Sequence, residues 1–370
     1  MTSTISARAA IVRSSGGKMS LESIDVAPPR ADEVRVRMVG VGICHTDIVC
    51  RDGFPVPMPI VLGHEGSGIV ESVGSSVRSV NPGDAVVLSF NACGHCHNCE
   101  HEAPAYCHQF MPLNFGGARA DGSSPLSQNG SVVHGNFFGQ SSFASYAIVR
   151  ESNVVKVDAS LPLPLLGPLG CGIQTGAGAA LNSLGIGPGL SLAIFGGGAV
   201  GLSALLAAKA VDAAQVIVVE PLAARRELAL SLGADAVIDP RAPDRDALTQ
   251  LREISGGGVH RALDTTGIPA VIATAADALL PNGMLGLVGV SPMEATLPVN
   301  IMSMIMRGIG IKAILEGDSQ PQQFIPRLLA LYQQGRFPFD KLISTFPFDQ
   351  IDAAFHATES GAAIKPVLLF

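Results

Sequence analysis

The chain has 370 residues, 47% of them hydrophobic and 15% charged, with a net charge of −7. That length and apolar content suit two domains with sizeable cores and exclude disorder; an acidic balance without a basic run excludes nucleic-acid binding, which needs a cationic face. The N-terminal stretch Met1–Arg8 carries neither an apolar run nor a small-residue cleavage site, so a cytoplasmic protein is expected.

In the first third, Val34-Arg-Val-Arg-Met-Val39 and Gly68-Ile-Val-Glu-Ser-Val-Gly74 alternate polar and apolar residues, the period of a half-buried strand. Together with turns such as Pro82-Gly83-Asp84 they predict an irregular, mostly antiparallel β domain. Two chemistry-bearing pieces lie inside it: Cys44-His45-Thr46-Asp47 and, twenty positions on, Gly63-His64-Glu65. A lone histidine beside a glutamate is more often a surface or core residue. His64 gains weight from its company, Cys44 and the Cys171 of Gly170-Cys171-Gly172. A Cys₂His set is neutral overall with Zn²⁺ and leaves a fourth position open for water or substrate.

Cys93-Gly-His-Cys96-His-Asn-Cys99, closed by Cys107, packs four thiols into fifteen residues. Such spacing predicts a tetrahedral S₄ zinc cage. Two disulfides or four free thiols are the competing explanations; disulfides require an oxidising compartment and usually a small secreted scaffold. Four thiolates leave no open position, so this zinc staples a loop and catalysis belongs elsewhere. The Gly/Ser/Asn-rich stretch from Gly116 to Gly135 reads as surface loop.

From Ala159 to Ala208 there is no Asp, Glu, Lys, Arg or His, and Leu190 to Ala208 is apolar enough to imitate a membrane helix. Gly196-Gly197-Gly198 and Gly201 break it instead into a buried strand, a tight turn and a helix. The rhythm that follows is strand and helix in alternation: Leu192–Phe195, the helix Ala199–Val211, Val216–Val219, a helix through Arg225, then Ala236–Ile238, Arg261–Leu263 and Leu285–Val288. Alternation of this length means βαβ units and a doubly wound parallel sheet. The Gly196-Gly-Gly198-Ala-Val-Gly201 turn fits G-x-G-x-x-G after a strand, and Glu220 follows nineteen positions after Gly201. Glycines let a pyrophosphate approach the helix start, and the carboxylate accepts from ribose hydroxyls. A 2′-phosphate about 4 Å from it would be repelled by about 4 kcal/mol at an effective dielectric near 20, which favours NAD over NADP. Arg225 and Arg226 soften that preference, although solvated helix surface is their more ordinary role. Towards the end, Phe324–Gln333 reads as helix and Ile364–Phe370 as a strand.

Taken in order, Cys44-x-Thr46-Asp47, Gly63-His64-Glu65-x-x-Gly68, the four-cysteine lobe and the glycine turn resemble the zinc-dependent medium-chain alcohol dehydrogenases over the whole chain. Leu166-Gly-Pro-Leu-Gly-Cys171-Gly-Ile-Gln-Thr-Gly-Ala-Gly178 and Phe137-Phe-Gly-Gln-Ser-Ser-Phe143 are similar to the bacterial aryl-alcohol (benzyl-alcohol) branch, with geraniol dehydrogenases as near relatives. The resemblance implies an α/β protein: a GroES-like catalytic domain over residues 1–171, a Rossmann domain over 172–314 and a return to the first domain over 315–370. It implies two zinc ions per chain and NAD, a small alcohol or aldehyde as the partner, no membrane, and a homo-oligomer, dimer or tetramer. Cys44, His64 and Cys171 would hold the catalytic zinc, with Asp47 and Glu65 supporting it and Thr46 relaying the alcohol proton. His45 and Lys365 would approach the pyrophosphate. Ser89, Phe137, Phe138, Val290 and Ile314 would line the substrate pocket beside Thr46. Many members carry a histidine five positions after the first zinc cysteine; Val49 stands there, which leaves the proton path beyond Thr46 to solvent. The expected reaction is oxidation of a primary aryl or allylic alcohol, with geraniol-type alcohols or glutathione-linked formaldehyde as alternatives. Zinc-free quinone or enoyl reductases of the same fold would lack the ligand cysteines, and an inactive binding relative would have lost ligands or Thr46.

Overall fold

The computed structural model describes residues 3–243 and 245–370; Met1 and Thr2, part of the N-terminal stretch read above, lie outside them. The chain forms two compact units. The first takes the chain up to Gly172 with Gln320–Pro326 and Asp340–Phe370; the second takes Ile173–Ser319 and Arg327–Phe339. The return to the first unit thus begins at Gln320 rather than at residue 315.

The first unit holds a five-stranded and a seven-stranded sheet. Strand Glu33–Gly42 is the hub of the larger one, pairing with Gly66–Val73, Tyr146–Arg150 and Lys365–Leu369. Its sequence alternates, yet nearly all of it is buried, Arg35 included. The terminal strand runs antiparallel to Gly40–Gly42 and parallel to Ile343–Pro347; those bonds bring the last residues of the chain back to the first unit. The stretch Gly116–Gly135 is not all loop: Leu126–Gln128 and Ser131–Val133 form a hairpin. Asn129 and Gly130 turn it with φ of 50° and 77°, the left-handed pair that a tight two-residue connection requires.

The second unit carries one parallel sheet of six strands, here β1 (Ser191–Phe195), β2 (Gln215–Val219), β3 (Ala236–Ile238), β4 (Val259–Asp264), β5 (Leu279–Leu287) and β6 (Gly310–Ala313). Their order is β3-β2-β1-β4-β5-β6, which reverses direction between β1 and β4. Every residue of β1 is buried, as helices on both faces of a parallel sheet demand. The apolar run Leu190–Ala208 is this strand, the glycine turn and the helix Ala199–Ala210. Among the described residues no helix is long and apolar enough to cross a membrane.

Candidate metal and dinucleotide sites

Strand Glu33–Gly42 delivers Cys44, which caps the helix His45–Asp52. Asp47, in the first turn of that helix, is fully buried and takes three donors. Its Oδ2 accepts from the Cys44 N–H, and its Oδ1 from the Gly63 N–H and from His64 Nδ1, each at 3.0 Å. The proton of His64 is thereby held on Nδ1, which turns Nε2 into a lone-pair donor. That Nε2 is buried and has no hydrogen-bond partner. Around it, Cys44, His64, Glu65 and Cys171 offer donor atoms within 4.8 Å of one another. A buried orphan acceptor is costly unless something takes its lone pair, and one imidazole with two thiols suits zinc. Hydrogen bonding from Cys171 is the main reason the Cys44 thiol lies well below its usual range, against burial and with help from His64. Thiolate, the form a metal requires, is favoured there. For His64 burial acts downward, but Asp47 and Cys44 outweigh it and raise the pKa, so the pocket attracts positive charge.

Glu65 stands behind these donors, fully buried. Its Oε1 accepts from the Gly172 N–H at 3.0 Å, and its two oxygens face Lys365 Nζ at 2.8 and 3.0 Å. Burial pushes the Glu65 carboxyl up, while Lys365 pulls it down. For Lys365 burial lowers the pKa, and Glu65 and Cys44 more than reverse this. The expectation that Lys365 meets a pyrophosphate does not fit this geometry. Antiparallel pairing of Lys365–Leu369 with Gly40–Gly42 sets its ammonium against Glu65 and 3.1 Å from the Ile43 carbonyl. Thr46 Oγ1 lies 3.8 Å from Cys44 Sγ; His45 is exposed and Val49 half-buried.

The His64 ring is walled by phenylalanine. Phe138 stacks on it at 4.4 Å between centroids and 26°, and Phe137 meets its edge at 5.5 Å and 81°. Phe115 packs on Phe138 in turn. Phe137 and Phe138 therefore belong to the core of the first unit and to the surroundings of His64 at once. Phe138 holds its place with φ of 50°, a left-handed conformation costing a bulky residue about 1–3 kcal/mol. Ser89 does not present an open hydroxyl: it is fully buried and its Oγ donates to the Gly170 carbonyl at 2.7 Å. In the second unit, Val290 is exposed and Ile314 is buried.

The sulfurs of Cys93, Cys96, Cys99 and Cys107 also gather within 4.8 Å. None of the seven cysteines is in a disulfide, and the separations of Cys96–Cys99 and Cys93–Cys99, 3.5 and 3.9 Å, are close to the spacing of about 3.8 Å that Zn–S bonds of about 2.3 Å impose on a tetrahedron. Main-chain N–H groups aim at these sulfurs: Cys93 and Gln109 at Cys107, and His108 at Cys96. The His108 N–H, with that of Cys99, pulls the Cys96 thiol down to about 6, whereas burial pushes Cys99 up to about 12. The thiol set and its N–H donors fit a closed structural zinc.

In the second unit, Gly196 follows β1 with φ of 104°. A Cβ on Gly201 would sit 1.9 Å from the Gly196 carbonyl oxygen, so the helix can pack this close to the turn only with glycine there. A Cβ on Gly198 would meet nothing nearer than an Arg225 guanidinium nitrogen at 4.0 Å, which leaves the turn's outer side open to a phosphate. Glu220, buried at the end of β2, accepts from the Gly197 N–H at 2.6 Å and the Leu222 N–H at 2.8 Å. Arg225 Nε is buried without a partner, while Arg226 is committed to Asp239 and to the Glu220 carbonyl. These features fit a dinucleotide. The sequence reading passed over Asp264-Thr-Thr-Gly267, where β4 ends: Thr265 Oγ1 donates to the Phe195 carbonyl at 2.9 Å, and Asp264 accepts from the Thr266 and Gly267 N–H groups. Its signal was available, an acidic turn at the end of an apolar strand.

Residues 30–159 match the alcohol dehydrogenase GroES-like domain family, and residues 199–334 the zinc-binding dehydrogenase family. A geraniol dehydrogenase of Castellaniella defragrans is 57% identical over 99% of this chain and 98% of its own. Among solved structures, an alcohol dehydrogenase zinc-binding domain protein from Burkholderia ambifaria superposes with a TM-score of 0.97 at 48% identity, covering 99% of each chain. The benzyl alcohol dehydrogenase of Acinetobacter calcoaceticus does so with 0.96 at 43%, again over 99% of each.

Proposed function

Because the chain belongs to the zinc-dependent medium-chain alcohol dehydrogenases, we propose that it oxidises a primary aryl or allylic alcohol to its aldehyde, reversibly, with NAD taking the hydride. The observation that carries the substrate class is the phenylalanine wall on His64: Phe138 stacked on the ring and Phe137 at its edge. An apolar, aromatic surface beside the candidate donors favours a planar hydrophobic alcohol. A charged, peptide-like glutathione adduct gains nothing from two phenylalanine rings. The 57% identity to a geraniol dehydrogenase supports prenyl-type alcohols as the second reading.

Cys44, His64 and Cys171 would hold one zinc and the four-cysteine lobe another. Bound at the first site, zinc supplies the Lewis acidity that brings a hydroxyl pKa down towards about 7. Asp47 keeps His64 in the tautomer that offers Nε2, and Glu65 stays out of solvent through Lys365. Thr46, half-buried beside Cys44, takes the alcohol proton and, with no histidine at Val49, passes it to water. On the second unit Gly196, Gly198 and Gly201 admit the pyrophosphate, Glu220 accepts from the adenosine ribose and Arg225 stands over the turn; His45 offers an exposed side chain to the phosphates. The protein is assigned to the cytoplasm as a homo-oligomer, for which helix Ile301–Arg307, with Ile301, Met302, Ile305 and Met306 exposed, supplies an apolar face. The test is kcat/KM with NAD for benzyl alcohol, geraniol and S-hydroxymethylglutathione. Benzyl alcohol or geraniol should exceed the glutathione adduct by at least about a hundredfold, about 2.7 kcal/mol; the reverse order would overturn the substrate class.

A further inference from the structure

The segment Asn136–Ser141 has an unusual backbone. Asn136, Phe138, Gly139 and Ser141 all carry positive φ, between 50° and 67°, which puts Phe138 on the His64 ring but breaks the regular run of peptide groups. Beyond it the chain lies alongside residues 62–66: the Phe143 N–H donates to the Leu62 carbonyl at 3.0 Å and the Ser142 N–H to the Gly63 carbonyl at 2.8 Å. At His64 and Gly66 the left-handed turn offers no main-chain partner, and a side chain stands in its place. Gln140 Nε2 donates to the His64 carbonyl at 2.9 Å, and Gln140 Oε1 accepts from the Gly66 N–H at 3.1 Å. The primary amide acts as a surrogate peptide and continues the ladder.

Every further partner of that amide is also out of water. Nε2 reaches the Ser89 carbonyl at 3.3 Å, and Oε1 accepts from Ser142 Oγ at 2.5 Å. Gln140 itself is 1% exposed. A buried amide with both ends satisfied in this way is rigid, and it grips the metal-ligand residue by its main chain while Asp47 grips it by its ring. The geometry points to Gln140 as a positioning residue that fixes His64 Nε2 towards Cys44 and Cys171 and holds Phe138 against the ring. This rests on the reading of that trio as the catalytic zinc site.

Gln140→Met tests it, since methionine has nearly the same length and no amide. In the metal-loaded enzyme, cobalt would be exchanged into the catalytic site, and its visible spectrum and affinity measured beside the metal content of the cysteine lobe. The expected result is a 10- to 100-fold loss of affinity at the catalytic site and a shifted cobalt spectrum, with the lobe still loaded. A variant that melts earlier but keeps wild-type affinity and spectrum would show that Gln140 only packs, and would overturn the proposal. Should Gln140→Met fail to fold, Ser142→Ala removes one bond to Oε1 and leaves the chain intact. A smaller loss of affinity and a spectral shift in the same sense are expected, and an unchanged site overturns the proposal equally. Wild-type protein that holds metal in the lobe alone would instead sink the zinc reading, and the proposal with it.

Discussion

Lys365 Nζ spends its protons on the two oxygens of Glu65 and on the Ile43 carbonyl, with both side chains out of solvent. A buried pair of this kind adds little over two apolar residues, yet removing one member strands the other. Lys365→Met should therefore cost about 3–5 kcal/mol in denaturant melts, and Glu65→Gln/Lys365→Met should recover part of it. The pH dependence follows from the direction of the lysine shift. Its folded pKa lies above the ordinary 10.5, so its contribution is complete below that pH and is lost as pH climbs through the raised value. The gap between wild type and Lys365→Met should then be flat from pH 7 to about 10 and close above it. A gap that opens only in alkali would contradict the pairing. His64 was legible as a candidate ligand from Gly-His-Glu and its two cysteines, and the structure brings these donors within 4.8 Å of one another. The ion pair was not, because 300 residues separate its members and only strand pairing joins them.

At the scale of elements, the proposed preference for NAD rests on the end of β2. Glu220 is held by two main-chain N–H groups on a buried strand end, so its charge cannot swing away from an incoming 2′-phosphate. kcat/KM with NAD should exceed that with NADP by at least about tenfold, about 1.4 kcal/mol, and Glu220→Ser should narrow the ratio. A wild-type preference for NADP would overturn this assignment. The cysteine lobe makes a different prediction, because a metal held there would be bound by the fold and bind the fold in return. Cys99→Ser should lower the melting temperature and release one metal while the other is kept, whereas His64→Ala should abolish turnover and leave the metal of the cysteine lobe in place. Loss of the lobe's metal in His64→Ala, or full turnover in that variant, would mean that the structural and catalytic roles are assigned wrongly. Both motifs could be read from spacing, since glycine and cysteine act through local geometry. The hairpin around Asn129-Gly130 carried an equally local signal, but short polar strands have almost no hydrophobic period to announce them.

At the scale of the whole molecule, the described residues offer two separate donor sets for metal, one closed by four thiols and one with three donors and Glu65 behind them. The sequence by itself determined the parallel sheet, the glycine turn with its acidic partner, and the spacing of the four-cysteine lobe and of the three scattered donors proposed for zinc. Each of these rests on residue type at a fixed spacing, or on a period that a strand or helix must repeat. The tertiary structure alone decided what surrounds them. It turned an alternating strand into a mostly buried hub paired on both edges, and it spent the Ser89 hydroxyl on the Gly170 carbonyl. Long-range pairing also brought Lys365 to Glu65 instead of a phosphate, and set Gln140 against the His64 main chain. Those partners are separated in sequence by tens to hundreds of residues. Nothing in a local pattern encodes which buried donor meets which acceptor; that is settled only when the folded core decides which neighbours are left to satisfy each of them.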